Sequence, residues 1–309
     1  MATNKRSKKI GLRRSLLFYS LMIAFPVIQF IVFYIGVNIN SVLLAFKDID
    51  PLNFNNYHWT TENFTRWFTD EVLWNELSAG FGVSIKAYFI SLIVGVPLGL
   101  FFSYYIFKKM PGSNFFRVVL FLPSIISSIV LVTIYSYFTD YVVMDWLEKL
   151  GIHLKRTLMG SEDTRFGTMM VYNVFVSFGT SVLMYSNKMS GISPEIIESA
   201  HLDGAGALQE FFYIALPMSF STISVFLITG IAGIFTNQIN NHAFFAGAGA
   251  APPDTQTIGF ILFYRTQSAK QNMSEYPLIA SLSVMLTLVV VPLTYIARYC
   301  FNRFGPSEN

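Results

Sequence analysis

Four titratable side chains, Glu195, Glu198, His201 and Asp203, fall close together between Ser193-Pro194 and Gly204. This is the densest run of chemistry-capable residues in an otherwise apolar stretch. The spacing offers no pair of His with carboxylates suited to a metal, and the chain carries no nucleophile elbow. His201 is read as a solvated loop residue rather than a ligand or proton relay. The run is better suited to recognition. Ser193 suits a helix N-cap and Pro194 the first helical position, while Glu195 favours the positive end of the helix dipole. Gly204 can close the helix in the left-handed conformation. A short helix over about Pro194–Leu202 follows, and a second helical piece through Phe211 and Phe212 leads onward. Ile196, Ile197 and Ala200 are expected to share one face and Glu198 and His201 another. A rigid knob of this kind, with an apolar face and a carboxylate, can dock in a groove of a soluble partner.

Other chemistries find no residues. The single cysteine, Cys300, excludes an internal disulfide and a Cys-based zinc cluster. The run Ala246-Gly247-Ala248-Gly249-Ala250-Ala251-Pro252-Pro253 lacks the Gly-Lys-Ser/Thr ending of a phosphate loop, so nucleotide binding in the usual way is excluded. No Asp or Glu lies deep in an apolar run, which argues against an ion-driven transporter or channel. An acid–base or metal cluster for a membrane-embedded lipid or glycan enzyme is also missing.

The elements that must hold the 193–217 run are membrane spans. Of 309 residues 53% are hydrophobic and 13% charged, with 31 Phe and 16 Tyr; soluble domains carry about 25% charged residues. Six apolar runs, near Leu16–Val37, Phe81–Phe107, Phe115–Phe138, Gly167–Tyr185, Ile214–Phe235 and Tyr276–Ala297, are each long enough to cross about 30 Å of hydrocarbon. The fold class expected is all-α, a polytopic membrane protein of about six transmembrane helices. The run after Arg14 is too long for a signal peptide and has no small-residue cleavage site. With the N-terminus inside, cytoplasmic segments hold twelve of the 21 Lys and Arg and the opposite side eight, with Lys86 snorkelling from the second span. Both termini are therefore expected in the cytoplasm of a multi-pass cell-membrane protein, with the basic start, residues 1–14, as a topology signal rather than a nucleic-acid site. Segments 46–79, 139–166 and 236–275 are expected outside. The first, with Trp59, Trp67, Asp70, Glu71 and Trp74, is expected to form short helices lying on the membrane surface.

Glu198-Ser199-Ala200, three residues, Gly204, nine residues, Ile214, one residue and Leu216-Pro217 resemble the loop of binding-protein-dependent importer permeases, whose form begins Glu-Ala-Ala; only Ser199 departs. Asp203-Gly204-Ala205 is the form usual in the sugar branch. Phe115-Phe116-Arg117 with Phe121-Leu122-Pro123, Phe25-Pro26 with Leu44-Ala45-Phe46-Lys47, and Glu62-Asn63-Phe64 resemble further passages of maltose-type and polysaccharide-type permeases. The resemblance covers nearly the whole chain. It implies a single permease domain over 1–309 with the type I ATP-binding-cassette importer fold and a cytoplasmic coupling loop at 190–213. It further implies a second homologous permease, two ATPase subunits holding ATP and magnesium, and an extracytoplasmic solute-binding protein. The chain itself would have no catalytic residue, cofactor or metal. Coupling to the ATPase would fall to the 194–204 helix, through Ile197, Glu198, Ser199, Ala200, Asp203 and Gly204. Hydroxyls, amides and aromatics at Tyr172, Asn173, Ser177, Thr180, Ser181, Thr229, Asn237 and Ser283 are candidates to line a sugar pathway.

Overall fold

The structure, a computed structural model, describes residues 2–51, 53–245 and 251–306. Most of the glycine-rich run, 246–250, lies outside the described residues. Among the described residues five helices are long and apolar enough to cross a membrane, and a sixth span is built from a bent pair. In chain order they are α1, apolar over Leu16–Leu44; α3, Glu71–Phe107, after the short α2, Glu62–Thr69; the bent pair α4, Ser113–Ser124, and α5, Ser128–Lys149; α6, Glu162–Met189; α9, Phe220–Thr236; and α12, Tyr276–Phe304. Between α6 and α9 lie α7, Pro194–Leu202, and a return helix, α8, over 207–218. Two short helices, α10, Asn241–Phe245, and α11, Ile258–Ser268, follow α9. The expected all-α fold of about six spans is therefore found.

Three local expectations are corrected. Segment 46–79 does not begin with helices: β1, Lys47–Asp50, pairs antiparallel with β2, Asn53–Trp59, before α2 begins. Its run of Asp and Asn disfavours helix, while Tyr57 and Trp59, two apart, suit one face of a strand. The third span is not straight. Pro123 lacks the N–H a continuous helix needs, so Leu122–Ser124 tightens to a 3₁₀ turn, Ser127 is extended (ψ 134°), and the two halves meet at 105°. The fifth span starts at Phe220 rather than Ile214. Pro217 and Ser219, at φ −100° and ψ 2°, separate α8 from α9.

The chain packs as two compact units, one of residues up to Arg66 with Ser268–Met285, the other of Trp67–Gln267 with Leu286 onward. In the first, α1 is exposed along almost its whole apolar length, with side chains such as Phe25, Phe33 and Leu21 mostly free of protein contact. Water does not support such a surface; hydrocarbon does. Buried Asn63 donates to the carbonyls of Ala45 (3.2 Å) and Lys47 (2.7 Å), and its own carbonyl accepts from Ser281 at 2.9 Å. Its side-chain amide and its backbone carbonyl together tie the exit of α1 and the start of α2 to the last helix.

In the second unit α3 and α6 pack closely: a Cβ at Gly99 would stand 3.5 Å from the Tyr185 ring and 3.7 Å from the Ser181 Cβ. The bent pair meets α6 at Gly179, where a Cβ would stand 1.8 Å from the Leu120 carbonyl oxygen. Backbone cannot retreat as a side-chain tip can. Gly179→Ala is therefore expected to lower the thermal midpoint in detergent, costing about 1–3 kcal/mol by overpacking. Gly167→Ala on the same helix, where a Cβ meets nothing, is expected to raise it by up to about 1 kcal/mol through helix propensity. Equal midpoints for the two variants would contradict the packing described.

Candidate functional site

The 193–217 segment folds as its caps dictate. Ser193 takes the N-cap position with extended ψ of 131°, although its hydroxyl makes no capping bond, and Pro194 opens α7. Gly204 adopts φ +82°, its N–H donates to the His201 carbonyl at 3.0 Å, and Ala205 N–H reaches the Ala200 carbonyl at 2.9 Å. This pair of bonds closes α7 in the manner of a left-handed helix stop. Gly206 then starts α8, its N–H received by the Gln209 side chain at 2.9 Å.

Of the residues expected to meet a partner, Glu198, Ser199 and Asp203 are exposed and Ala200 is half-buried. Ile197 does not stand free. It packs against an apolar cluster of Leu100, Tyr185, Met189, Ile192, Phe211, Ala215 and Ile223, and so seats α7 on its own chain. The freely exposed apolar side chains nearby are Leu202, 89% exposed, and Leu208, 69%, with Ile196 at 40%.

Behind α7 lies an ionic cluster that sequence reasoning missed. The Glu210 side chain, fully enclosed, receives Lys108 Nζ at 3.0 and 2.9 Å on its two oxygens and meets His201 Nε2 at 2.8 Å. His201 is thus a partner of a buried carboxylate rather than a merely solvated residue. Burial alone would push the Glu210 carboxyl up. The hydrogen bonds from Lys108 and His201, with the Lys108 charge, outweigh it and hold the group below its ordinary 4.5. One signal was present in the sequence: a lone carboxylate at the mouth of the apolar run Phe211–Leu216 needs a partner.

A second site lies among α3, α6 and α9. A cavity of about 490 Å³ is lined by six of the expected pathway residues, Asn173, Ser177, Thr180, Ser181, Thr229 and Asn237, together with Tyr88, Ser91, Phe178, Tyr185 and Phe226. Among the described residues no carboxylate, lysine, arginine or histidine is in its wall. Residues 173, 177 and 181 recur every four positions and so share one face of α6. Ser177, Ser181 and Thr229 donate to carbonyls within their own helices at 3.2, 3.1 and 2.8 Å, which leaves their oxygens as acceptors. Asn173 is more heavily engaged. It donates to the Met169 and Ile239 carbonyls at 2.8 and 2.9 Å and accepts from Asn240, bracing a turn in which Ile239 and Asn240 have positive φ. Gly230 lets the Tyr88 ring approach, since a Cβ there would lie 2.9 Å from it. Tyr172 is outside the lining, buried between the Tyr135 and Phe244 rings. Ser283 belongs to the other unit, where its hydroxyl donates to the Ile279 carbonyl.

The sign of the Glu210 shift fixes a pH dependence. A carboxyl held below its ordinary value stabilises the fold above about pH 4.5 and loses that contribution as pH falls through the folded value. The thermal midpoint of the detergent-solubilised chain is expected to fall on acidification through this window, and that of Glu210→Gln to fall less. Parallel curves would show that the carboxylate is not the group responsible.

Comparison with known proteins gives one answer. The chain is 25% identical over 235 residues to the probable ABC transporter permease YurN of Bacillus subtilis, covering 74% of this chain and 78% of that one. It is 24% identical over 275 residues to the multiple sugar-binding transport system permease MsmF of Streptococcus mutans, covering 88% and 91%. Its fold matches a chain of a bacterial ABC transporter involved in import of the acidic polysaccharide alginate, with a TM-score of 0.77, 19% identity and coverage of 95% and 98%. The family model for the inner-membrane component of binding-protein-dependent transport systems matches residues 95–307, which include α7, Glu210 and much of the cavity wall. This chain belongs to the family of binding-protein-dependent transport system inner-membrane components, multi-pass permeases of the type I importer fold.

Proposed function

We propose that this chain forms half of the translocation pathway of an importer for a sugar or oligosaccharide and is coupled to ATPase subunits through α7. The observation that carries the sugar reading is the cavity: hydroxyl and amide acceptors and four aromatic rings, without an ion, match the alternating hydroxyl and C–H faces of a carbohydrate. The sugar and oligosaccharide permeases among the relatives support it. A second homologous permease completes the pathway, two ATPase subunits bind ATP with magnesium, and an external solute-binding protein delivers the ligand. The chain acts as one permease domain and catalyses no bond change itself. ATP-driven closure of the ATPase pair moves α7, and the membrane helices exchange inward-open and outward-open states.

Contact with the ATPase falls to the exposed side of α7 and its flanks: the Glu198 carboxylate, Ser199 and Asp203, with Leu202 and Leu208 as apolar anchors. Ile197 holds the helix from beneath, and half-buried Ala200 lies beside the contact. On the other side of the membrane, exposed Glu71 and Trp74 at the start of α3 suit the binding protein. Asp70 has a separate task, since its carboxylate caps α3 through Val72 N–H at 2.9 Å.

Glu198→Ala is expected to leave membrane insertion intact while the ATPase subunits no longer co-purify. A partly desolvated charge pair there is worth several kcal/mol, on the order of 2–5, because removing one member strands the other. Gly204→Val has open space for its side chain, so its penalty is backbone alone, at least about 1 kcal/mol for a left-handed β-branched residue. It is expected to misdirect α7 and abolish substrate-stimulated ATP hydrolysis. Full assembly and full stimulation in both variants would refute the assignment. Topology is tested separately. In a Cys300→Ser background, Gln209→Cys is expected to resist impermeant maleimide applied to intact cells, and labelling from outside would invert the orientation.

A further inference from the structure

Lys108, His201 and Glu210 belong to three different stretches of chain. Lys108 is the residue on which α3 ends, His201 lies in the last turn of α7, and Glu210 closes the first turn of α8. The three meet with no solvent at the carboxylate: the Glu210 side chain is 0% exposed, and both of its oxygens are occupied. A charge so enclosed cannot exchange its partners for water one at a time: moving α7 away strips it of His201, moving the end of α3 away strips it of Lys108, and either leaves an enclosed carboxylate short of a partner. Neighbouring contacts lie along the same line. Phe211 stacks on Phe101 at 4.9 Å and meets Tyr104 edge-on at 5.2 Å, and the Tyr104 hydroxyl donates to the Ala207 carbonyl at 3.0 Å. Positions 101, 104 and 108 occupy one face of the end of α3. Farther back, the same helix presents Ser84, Tyr88 and Ser91 to the cavity, Ser91 being about 25 Å from Lys108 at 1.5 Å per residue.

We propose that Glu210 is a positioning residue that locks the coupling helix to the inner end of α3, so that nucleotide-driven motion of α7 moves the cavity wall with it. This rests on the reading of α7 as the ATPase contact and adds the route by which the motion leaves it. Without the lock, α7 follows the ATPase while α3 lags, and hydrolysis proceeds without a change at the cavity.

The test uses the complete transporter in proteoliposomes, this chain with its companion permease, ATPase subunits and binding protein, carrying Ser91→Cys in a Cys300→Ser background. Its readouts are the labelling rate of Cys at 91 by an impermeant maleimide with and without ATP, ATP hydrolysis, and co-purification of the ATPase. In the parent complex ATP is expected to change the labelling rate; no change there would overturn the proposal, which requires the wall at position 91 to move. Glu210→Gln is expected to keep co-purification and hydrolysis and to lose the ATP-dependent change. A merely structural role would lower the yield of complex and leave the nucleotide dependence of the surviving complexes intact, which would also overturn the proposal. Lys108→Met is expected to behave as Glu210→Gln and Lys108→Arg, which keeps the charge, as the parent. If Glu210→Gln does not insert, that pair decides: equal responses to ATP in the Met and Arg variants refute the lock. Glu198→Ala separates the two readings. Retained ATPase binding and stimulation there would remove the α7 contact itself, whereas their loss together with a full ATP response in Glu210→Gln would remove only the lock.

Discussion

Hydrocarbon offers no partner to an amide, so every N–H and C=O that crosses it must be satisfied inside the chain. That constraint accounts for the long helices and for the handling of their interruptions. At Ser219, where α8 gives way to α9, the N–H still reaches the Ala215 and Leu216 carbonyls, at 3.1 and 3.2 Å, and the residue is fully buried. At the bend after Pro123, the Ile125 N–H turns back to the Leu122 carbonyl at 3.1 Å. The Leu120 carbonyl nearby is covered by the bare backbone of Gly179. A break in a membrane helix survives here because protein stands where solvent would otherwise be needed.

Charge is sorted by the same constraint. Near its start α3 carries Glu76, which binds Arg265, and Arg265 also lies over the Trp67 ring at 5.4 Å. Arg165, near the start of α6, pairs with Asp254 at 2.7 Å. At the far end of α3, Lys108 pairs with Glu210. Between these ends the wall of the cavity is neutral. Ion pairs fix the helices where their desolvation cost is shared with polar surroundings, and the middle is left to hydroxyls, amides and rings.

What the sequence disclosed followed the range of the interactions involved. The limits of α7 were legible because Pro194 and Gly204 act on their own backbone. Asn173, Ser177 and Ser181 stood out because they are polar side chains in an apolar run; that they share one face of α6 follows from the helix repeat once the helix is in place. The inward side of α7 was not, since Ile196 and Ile197 are adjacent and only the surrounding helices decide which is covered. Glu210 was not legible as a link because its cation is 102 residues away. The hairpin at 47–59 was missed because its aromatic alternation was read together with the amphipathic helix after it. The bend at Pro123 was missed because the apolar run was long enough for one straight span.

The clamp at Asn63 has a bearing on how the chain is made. Asn63 accepts its bond from Ser281, 218 positions later. A ribosome adds about 5–20 residues per second, so the emerging first helix and hairpin wait on the order of ten seconds or more for the partner that completes their unit. During that interval the Asn63 carbonyl and the underside of the hairpin have no permanent cover. The first unit therefore cannot close until the last helix has been delivered, and a chain stopped before Ser281 keeps that contact open.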